Sequence, residues 1–360
     1  MSEQLAWVAF ARLEGLGVKR RREILAAAPS PMAFFNGPDA LHARFAIAPK
    51  EIDAALKQAG REIEAAKALG ALILTPDVPD YPHKLSEIPD PPPVLYALGD
   101  LKALHRPAIG VVGTRKVSTY GRAMARRFAK ELVEAGALLV SGGARGVDGA
   151  AHEAAMEANG PTAVVAGTGL AQSYPREHAA LFREIASRGG LILSELPPDA
   201  GPLPWHFPLR NRIIAGLSLG ILVVEAAEKS GSLITARLAL DYGREVFAIP
   251  GPLTSGASSG ANRLIQKGEA KLVMEAADIL GELRPEPGQL PLQVGARPPA
   301  APAADGDPLL QHLPPGEAVG FDDLIDASGL TPARLAAALV ELQLQGKVES
   351  YAGGKYARRE

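Results

Sequence analysis

Between residues 108 and 280 the chain repeats one pattern: a short continuous apolar run, a break rich in glycine or hydroxyl residues, then a stretch with apolar positions every three to four residues. The apolar runs at 109–112, 137–140, 162–166, 191–193, 221–224 and 246–249 are short and rich in β-branched residues, so they predict strands. Between them, segments such as YGRAMARRFAKELVEAG and SLITARLALDYG carry helical periodicity. Strands that are apolar on both faces and alternate with helices predict an α/β fold, a Rossmann-like doubly wound, mostly parallel sheet covered on both sides. In such sheets the ligand site lies beyond the C-terminal ends of the strands, so the loops there should hold the unusual residues.

The flanks follow other rhythms. Residues 7–28 read as two short helical patterns joined by Gly15-Leu16-Gly17 and followed by four consecutive cations, Lys19 to Arg22. Such a turn is either a helix-hairpin-helix whose N–H groups meet a phosphate, or a packing unit with a solvated basic face, and the pattern leaves both open. The proline-rich stretch at 75–100 interrupts the helical pattern, and 281–307, rich in proline, glycine and alanine without a period, predicts a flexible linker. Beyond it, FDDLIDASG and TPARLAAALVELQLQG predict helices, the second started by Thr331 before Pro332, and two short strands around Gly353-Gly354 complete a winged helix. The expected units are a helical, helix-hairpin-helix-like (SAM-like) domain at 1–75, a proline-rich connection at 76–107, the Rossmann-like domain at 108–280, the linker at 281–307 and the winged helix at 308–360.

Composition narrows the function classes. With 360 residues, 47% of them hydrophobic, the chain can bury two or three cores. It has no cysteine, which excludes disulfides, thiolate catalysis and cysteine-held metal, and neither metal nor cofactor is expected. The start MSEQLAWVAFARLEG lacks a signal-peptide pattern, and no uncharged apolar run approaches the ~20 residues of a membrane helix, so a soluble, cytoplasmic protein is expected. The net charge is −2, and residues 108–280 carry 18 basic against 16 acidic groups. Nucleic-acid binding would therefore rest on a local site. Residues 306–360 carry five basic and eight acidic groups, so a protein-interaction role for the winged helix is at least as well supported as DNA binding.

The strand-end loops supply candidates for that local site. GVVGTR at 110–115 lacks the G-x-G-x-x-G spacing, and no acidic residue follows ~20 positions later at a strand end, so a dinucleotide cofactor is not expected. After Gly113, the Thr114 hydroxyl and Arg115 guanidinium suit a phosphate, unless the glycine serves packing and the arginine a carboxylate. In SGGARGVD, Gly142 and Gly143 leave N–H groups before a helix start, which suits an anion nest beside Arg145 and equally a tight turn in which Asp148 caps the helix or pairs with Arg145; the two are compatible, and Asp148 can also steady a binding arginine without touching ligand. Ser230-Gly231-Ser232 opens a further helix and, alone, is an ordinary cap. FPLRNR places Phe207, Arg210, Asn211 and Arg212 before an apolar run, where charged groups must find carboxylates or line a rim. An aromatic ring beside arginines suits a single strand of nucleic acid, whose unstacked bases rest on aromatic faces, although a core phenylalanine is the alternative. Convergence of these loops on one sheet edge predicts an anion site.

The blocks DYPHKLSEIPDPPPVLYALGD, GVVGTRKVSTYG, VSGGARGVDGAAHEAA, YPREHAALFREI, LILSELPP, HFPLRNRIIAGLS and KSGSLITARLALDYGREVFAIPGPL with SGANRLIQKGEA, in that order, resemble the DprA/Smf family, the bacterial DNA-processing protein A of natural transformation. The resemblance covers about 75–280, and the flanking units match the family's longer architectures. It implies a homodimer that binds single-stranded DNA with little sequence preference and loads RecA recombinase onto incoming DNA during transformation and recombination. It carries Arg115, the Gly142-Gly143 turn, Phe207, Arg210, Asn211, Arg212 and the Ser230-Gly231-Ser232 loop into the DNA pocket, with Phe207 stacking on a base, and implies no catalytic residue. Some family members have lysine in or just before this block where this chain has Pro204 and Leu209, which removes one phosphate contact. The rival class is a Rossmann-like nucleotide phosphoribohydrolase of the lysine-decarboxylase-like group. That class needs P-G-G-x-G-T-x-x-E, whereas the corresponding KSGSLITAR has no glutamate at that spacing, so Glu195 or Glu225 would have to substitute.

Overall fold

The computed structural model describes residues 1–283, 292, 309–314, 317–351 and 353–358, so the expected linker at 281–307 falls almost wholly outside the described residues. Nine strands form the main sheet: β1 (Leu72–Leu74), β2 (Leu95–Gly99), β3 (Ala108–Val112), β4 (Leu138–Ser141), β5 (Thr162–Val165), β6 (Leu191–Ser194), β7 (Gly220–Val223), β8 (Glu245–Ala248) and β9 (Lys271–Leu272). Their order is β1-β2-β6-β5-β4-β3-β7-β8-β9. From β6 to β9 all pairs are parallel, while β1–β2 and β2–β6 are antiparallel. The chain runs outward from β3 through β4 and β5 to β6, then returns to place β7 on the other side of β3. The strand order therefore reverses between β3 and β7, which is where an open α/β sheet forms its ligand crevice.

Side-chain alternation divides each central strand between two cores. Ala108 and Val112 of β3 join Ile221 and Val223 of β7 on one face, while Ile109 and Val111 join Leu222 and Val224 on the other. The first face is covered by α10 (His206–Leu217), α11 (Ser232–Asp241) and α12 (Ser259–Gln266), through Ile213, Ile214, Leu233, Ala236 and Leu264. The second is covered by α7 (Thr119–Glu134), α8 (Val147–Glu157) and α13 (Ala276–Leu280), through Phe128, Leu132, Ala151 and Ile279. Phe128 is fully buried, and removing its ring would cost about 3–5 kcal/mol. A smaller helix, α9 (Ala179–Ser187), packs Phe182 and Ile185 against Val164 and Ile192.

The six expected strands form within two residues of their predicted bounds. β1, β2 and β9 are additional. The expected proline-rich connection contains β2, so it is part of the sheet rather than only a link to it. Its prolines at 91–93 all precede the first paired residue, Leu95, and remove no ladder hydrogen bond. A short helix, α6 (His83–Ser86), lies in the same segment.

The N-terminal helices are α1 (Glu3–Arg12), α2 (Val18–Ala27), α3 (Pro31–Phe35), α4 (Asp39–Arg44) and α5 (Pro49–Ala68), around a core that includes Trp7, Phe10, Ile24 and Phe34. Glu62 of α5 ties this unit to the sheet by accepting from Tyr96 Oη at 2.7 Å and Arg12 Nε at 2.8 Å. Three of the four consecutive cations bond backbone carbonyls: Arg20 to Phe45, Arg21 to Ala11 and Arg22 to Pro89.

The C-terminal unit is a winged helix. β10 (Val319–Gly320), α14 (Phe321–Ser328) and α15 (Pro332–Leu344) precede β11 (Val348–Tyr351) and β12 (Lys355–Arg358), and β12 lies between β10 and β11 in an antiparallel sheet. Leu324, Leu335, Leu339 and Leu342 form its core. No helix among the described residues is long and apolar enough to cross a membrane.

Candidate nucleic-acid interface

A cleft of about 600 Å³ opens at the reversal point between β3 and β7, lined by Gly113, Arg115, Phe207, Asn211 and the Ser230-Gly231-Ser232 loop among others. Its volume is in the usual range for ligand clefts. Glu225, just beyond β7 and fully buried, shapes the loop after β3. Its carbonyl accepts from Thr114 N at 2.7 Å, and its carboxylate accepts from Ser118 N at 2.8 Å and Ser118 Oγ at 2.7 Å. The Thr114 hydroxyl turns back to accept from Lys116 N, so it serves the loop. Arg115 is left exposed and makes no ion pair among the described residues. Its guanidinium stands 5.6 Å from the centre of the Phe207 ring, which favours a cation over its face.

Arg210 is in the cleft floor but is buried, 5% exposed. Its NH1 donates to the Gly142 carbonyl at 2.7 Å, and the guanidinium fills the space that a side chain at Gly142 would occupy. That close approach explains the glycine. Asp148, buried beside it, accepts from Ala144 N at 3.2 Å. Burial lowers the Arg210 pKa to about 10, with Asp148 opposing and Arg115 adding to the shift. Burial likewise raises the Asp148 carboxyl pKa, and Arg210 opposes that. The buried Arg210 Nε has no partner among the described residues.

Arg145 is exposed and pairs with Glu177, so of the alternatives for the turn the pairing with Asp148 does not form. It lines a side recess with Arg115, Gly142 and Phe207. Gly143, at φ +67°, packs against Phe182 and does not line the main cleft. The hydroxyls of Ser230 and Ser232 are 2.7 Å apart at the start of α11. Asn211 lines the cleft between α10 and that loop.

Arg212 departs from the expectation that the start of α10 delivers both arginines to one ligand. It is 13% exposed and bonds Asp90 Oδ2 at 3.0 Å and Glu195 Oε2 at 2.5 Å, in a separate recess shared with α2 and the proline-rich segment. The physical reason is the helix phase. Residues two apart point about 200° around the axis, so Arg210 and Arg212 cannot face the same cleft. The spacing within RNR already carried that signal.

Three further residues, which lie in the quoted sequence blocks but were not among the expected site residues, stand at the same edge. Tyr174, in the loop between β5 and α9, is 40% exposed at the cleft with its ring centre 5.3 Å from that of Phe207. Lys116 and Lys229 are exposed on strand-end loops and form no ion pair among the described residues.

The model of the DNA recombination-mediator protein A family matches residues 72–284, and that of the DprA winged helix domain matches 294–354. Protein Smf of Synechocystis is 35% identical over 401 residues, covering 99% of each chain. The DNA processing protein DprA of Bacillus subtilis is 48% identical over 204 residues, 56% of this chain and 68% of that one. Protein Smf of Escherichia coli is also 48% identical over 204 residues, and there the match spans only 54% of the relative's length. The structure of DprA from Streptococcus pneumoniae superposes with a TM-score of 0.68 at 34% identity, over 79% of this chain and 99% of that one. A Helicobacter pylori DprA structure, described as giving insight into a single-stranded DNA binding mode, superposes at 0.54 with 34% identity, over 59% and 97%. A reversal-point cleft, a mostly parallel sheet and a winged helix thus accompany matches along most of the sequence, and the chain belongs to the DNA recombination-mediator protein A (DprA/Smf) family.

Proposed function

We propose that this protein binds single-stranded DNA in the cleft between β3 and β7 and, as a homodimer, loads RecA onto that strand during transformation and recombination. The observation that carries the DNA-binding part is Arg115, an exposed guanidinium without a carboxylate partner among the described residues, held beside aromatic rings at the reversal point. Unpaired cations meet phosphates, and aromatic rings meet bases that are not already paired. Asn211 and the Ser230-Gly231-Ser232 loop add polar contacts on the far wall.

RecA loading and dimerisation rest on family membership. The open edge strand β9, with Leu272 exposed on it and Met274 exposed just beyond, offers a surface for pairing with a second copy. Glu195 and Glu225, the carboxylates available to a phosphoribohydrolase, are engaged by Arg212 and by Ser118 respectively. The test is fluorescence anisotropy of labelled single-stranded and duplex oligonucleotides at two salt concentrations. Tight, salt-sensitive binding that favours the single strand is expected; equal preference for duplex, or a flat salt response, contradicts the proposal.

A further inference from the structure

We propose that the recess between the N-terminal helices and α10 is a second binding site, one that takes a small organic acid: a flat apolar body carrying a carboxylate. Helix α10 parts it from the cleft between β3 and β7, and its volume, about 550 Å³, is again that of a ligand site. Its apolar walls are Trp7 and Phe10 of α1, Leu16 and Leu25 before and within α2, Ile88 of the proline-rich segment and Leu209 of α10.

What those walls lack is acceptors. Trp7 is 8% exposed, and its buried indole Nε1 has no hydrogen-bond partner among the described residues. Arg21 Nε and Arg212 Nη1, on residues lining the same recess, are likewise buried and unpartnered. Among the described lining residues, every buried side-chain N or O atom without a partner is therefore a donor. A buried donor left unmade is unfavourable, and a ligand that brings acceptor oxygens removes that deficit.

Charge then sets the ligand's sign. Arg12 and Arg212 meet Glu62, Asp90 and Glu195, whereas Arg21 and Arg22 bond only the carbonyls of Ala11 and Pro89 and form no ion pair among the described residues. Gly17 and Val18, which also line the recess, start α2, a ten-residue helix whose first turn has no acidic residue and whose Gly17 cap gives its N–H groups no side-chain acceptor. Two guanidinium groups without carboxylates and an uncapped helix start thus line one apolar recess. An anion on an apolar body satisfies all of these at once, and an aromatic carboxylate is the simplest such ligand.

Of the chain's two tryptophans, Trp7 lines the recess and Trp205, 59% exposed, does not. The full chain carrying Trp205→Phe therefore reports on the recess through Trp7 emission alone. It is titrated with 4-nitrobenzoate, whose nitroaromatic ring quenches indole on contact, and with the neutral 4-nitrobenzamide. Arg21→Gln and Arg21→Lys are made in the same background and checked for folding by circular dichroism. Nitrobenzoate should quench saturably and bind about tenfold more tightly than the amide, the difference expected of one charge-assisted hydrogen bond, and should lose that advantage in Arg21→Gln but not in Arg21→Lys. Quenching that rises linearly without saturating, equal affinity for acid and amide in the Trp205→Phe parent, or an acid preference untouched in Arg21→Gln would each overturn the site. Saturating oligothymidylate should leave the titration as it was; competitive displacement would assign the recess to the path of DNA and not to an organic acid.

Discussion

Helix α10 separates two arginine-rich regions with opposite electrostatics. On one side Arg12 and Arg212 are closed by carboxylates, Arg12 by Glu62 and Arg212 by Asp90 and Glu195. Arg21 lies near them, its pKa lowered chiefly by burial and secondarily by Arg12. On the other side Arg115 has no such partner among the described residues and stands at the mouth of a cleft. The first set is neutralised by the protein's own carboxylates; the second is available to an anion. Arginine content is similar in both, so pairing, not number, distinguishes a structural cation from a binding one.

Arg210 lies between these cases, in the cleft by position but bonded to the Gly142 carbonyl, with the Asp148 carboxyl buried nearby. Replacing it with alanine removes the bond to the Gly142 carbonyl and the guanidinium that fills the space beside it, and should cost about 1–3 kcal/mol of stability, read by urea unfolding. A loss of DNA affinity with unchanged stability would instead make Arg210 a direct phosphate contact.

His152, under the same floor, sharpens the contrast because it is a basic group that the fold keeps neutral. Burial, with help from His178 and Arg210, lowers its pKa to about 3. The unfolded chain takes up a proton below about pH 6.5 and the folded chain does not, so stability is lost as pH falls from there toward 3. Between pH 6 and 4.5 the parent should lose up to about 1.4 kcal/mol per pH unit more than His152→Asn. Equal slopes would mean that the imidazole gains a proton inside the fold.

The parallel core was legible because buried parallel strands read as unbroken apolar runs, as at Ile221 to Val224. β1 and β9 were not, being three and two residues long, and β2 was hidden behind Pro91 to Pro93. The cleft was legible as a convergence of loops: Gly113, Arg115, Phe207, Asn211 and Ser230 to Ser232 do meet there. The partners of Arg212 were not, because Asp90 lies 122 positions away in a segment that looked like a connection and Glu195 lies on another loop. Tyr174 carried no periodic signal at all, since a loop residue gains its neighbours only through tertiary contacts.

The difference between the two regions is tested most directly by the salt dependence of single-strand affinity for the parent, Arg115→Ala and Arg212→Ala, each first checked for folding. Arg115→Ala should bind about tenfold more weakly, with the slope of log affinity against log salt shallower by about 0.7, the loss of one phosphate contact on a single strand. Arg212→Ala should lose about 2 kcal/mol of stability, less than a fully buried pair because Asp90 and Glu195 are partly exposed, and should keep the parent's slope. A shallower slope in Arg212→Ala with the parent's slope in Arg115→Ala would contradict the division between paired and available arginines.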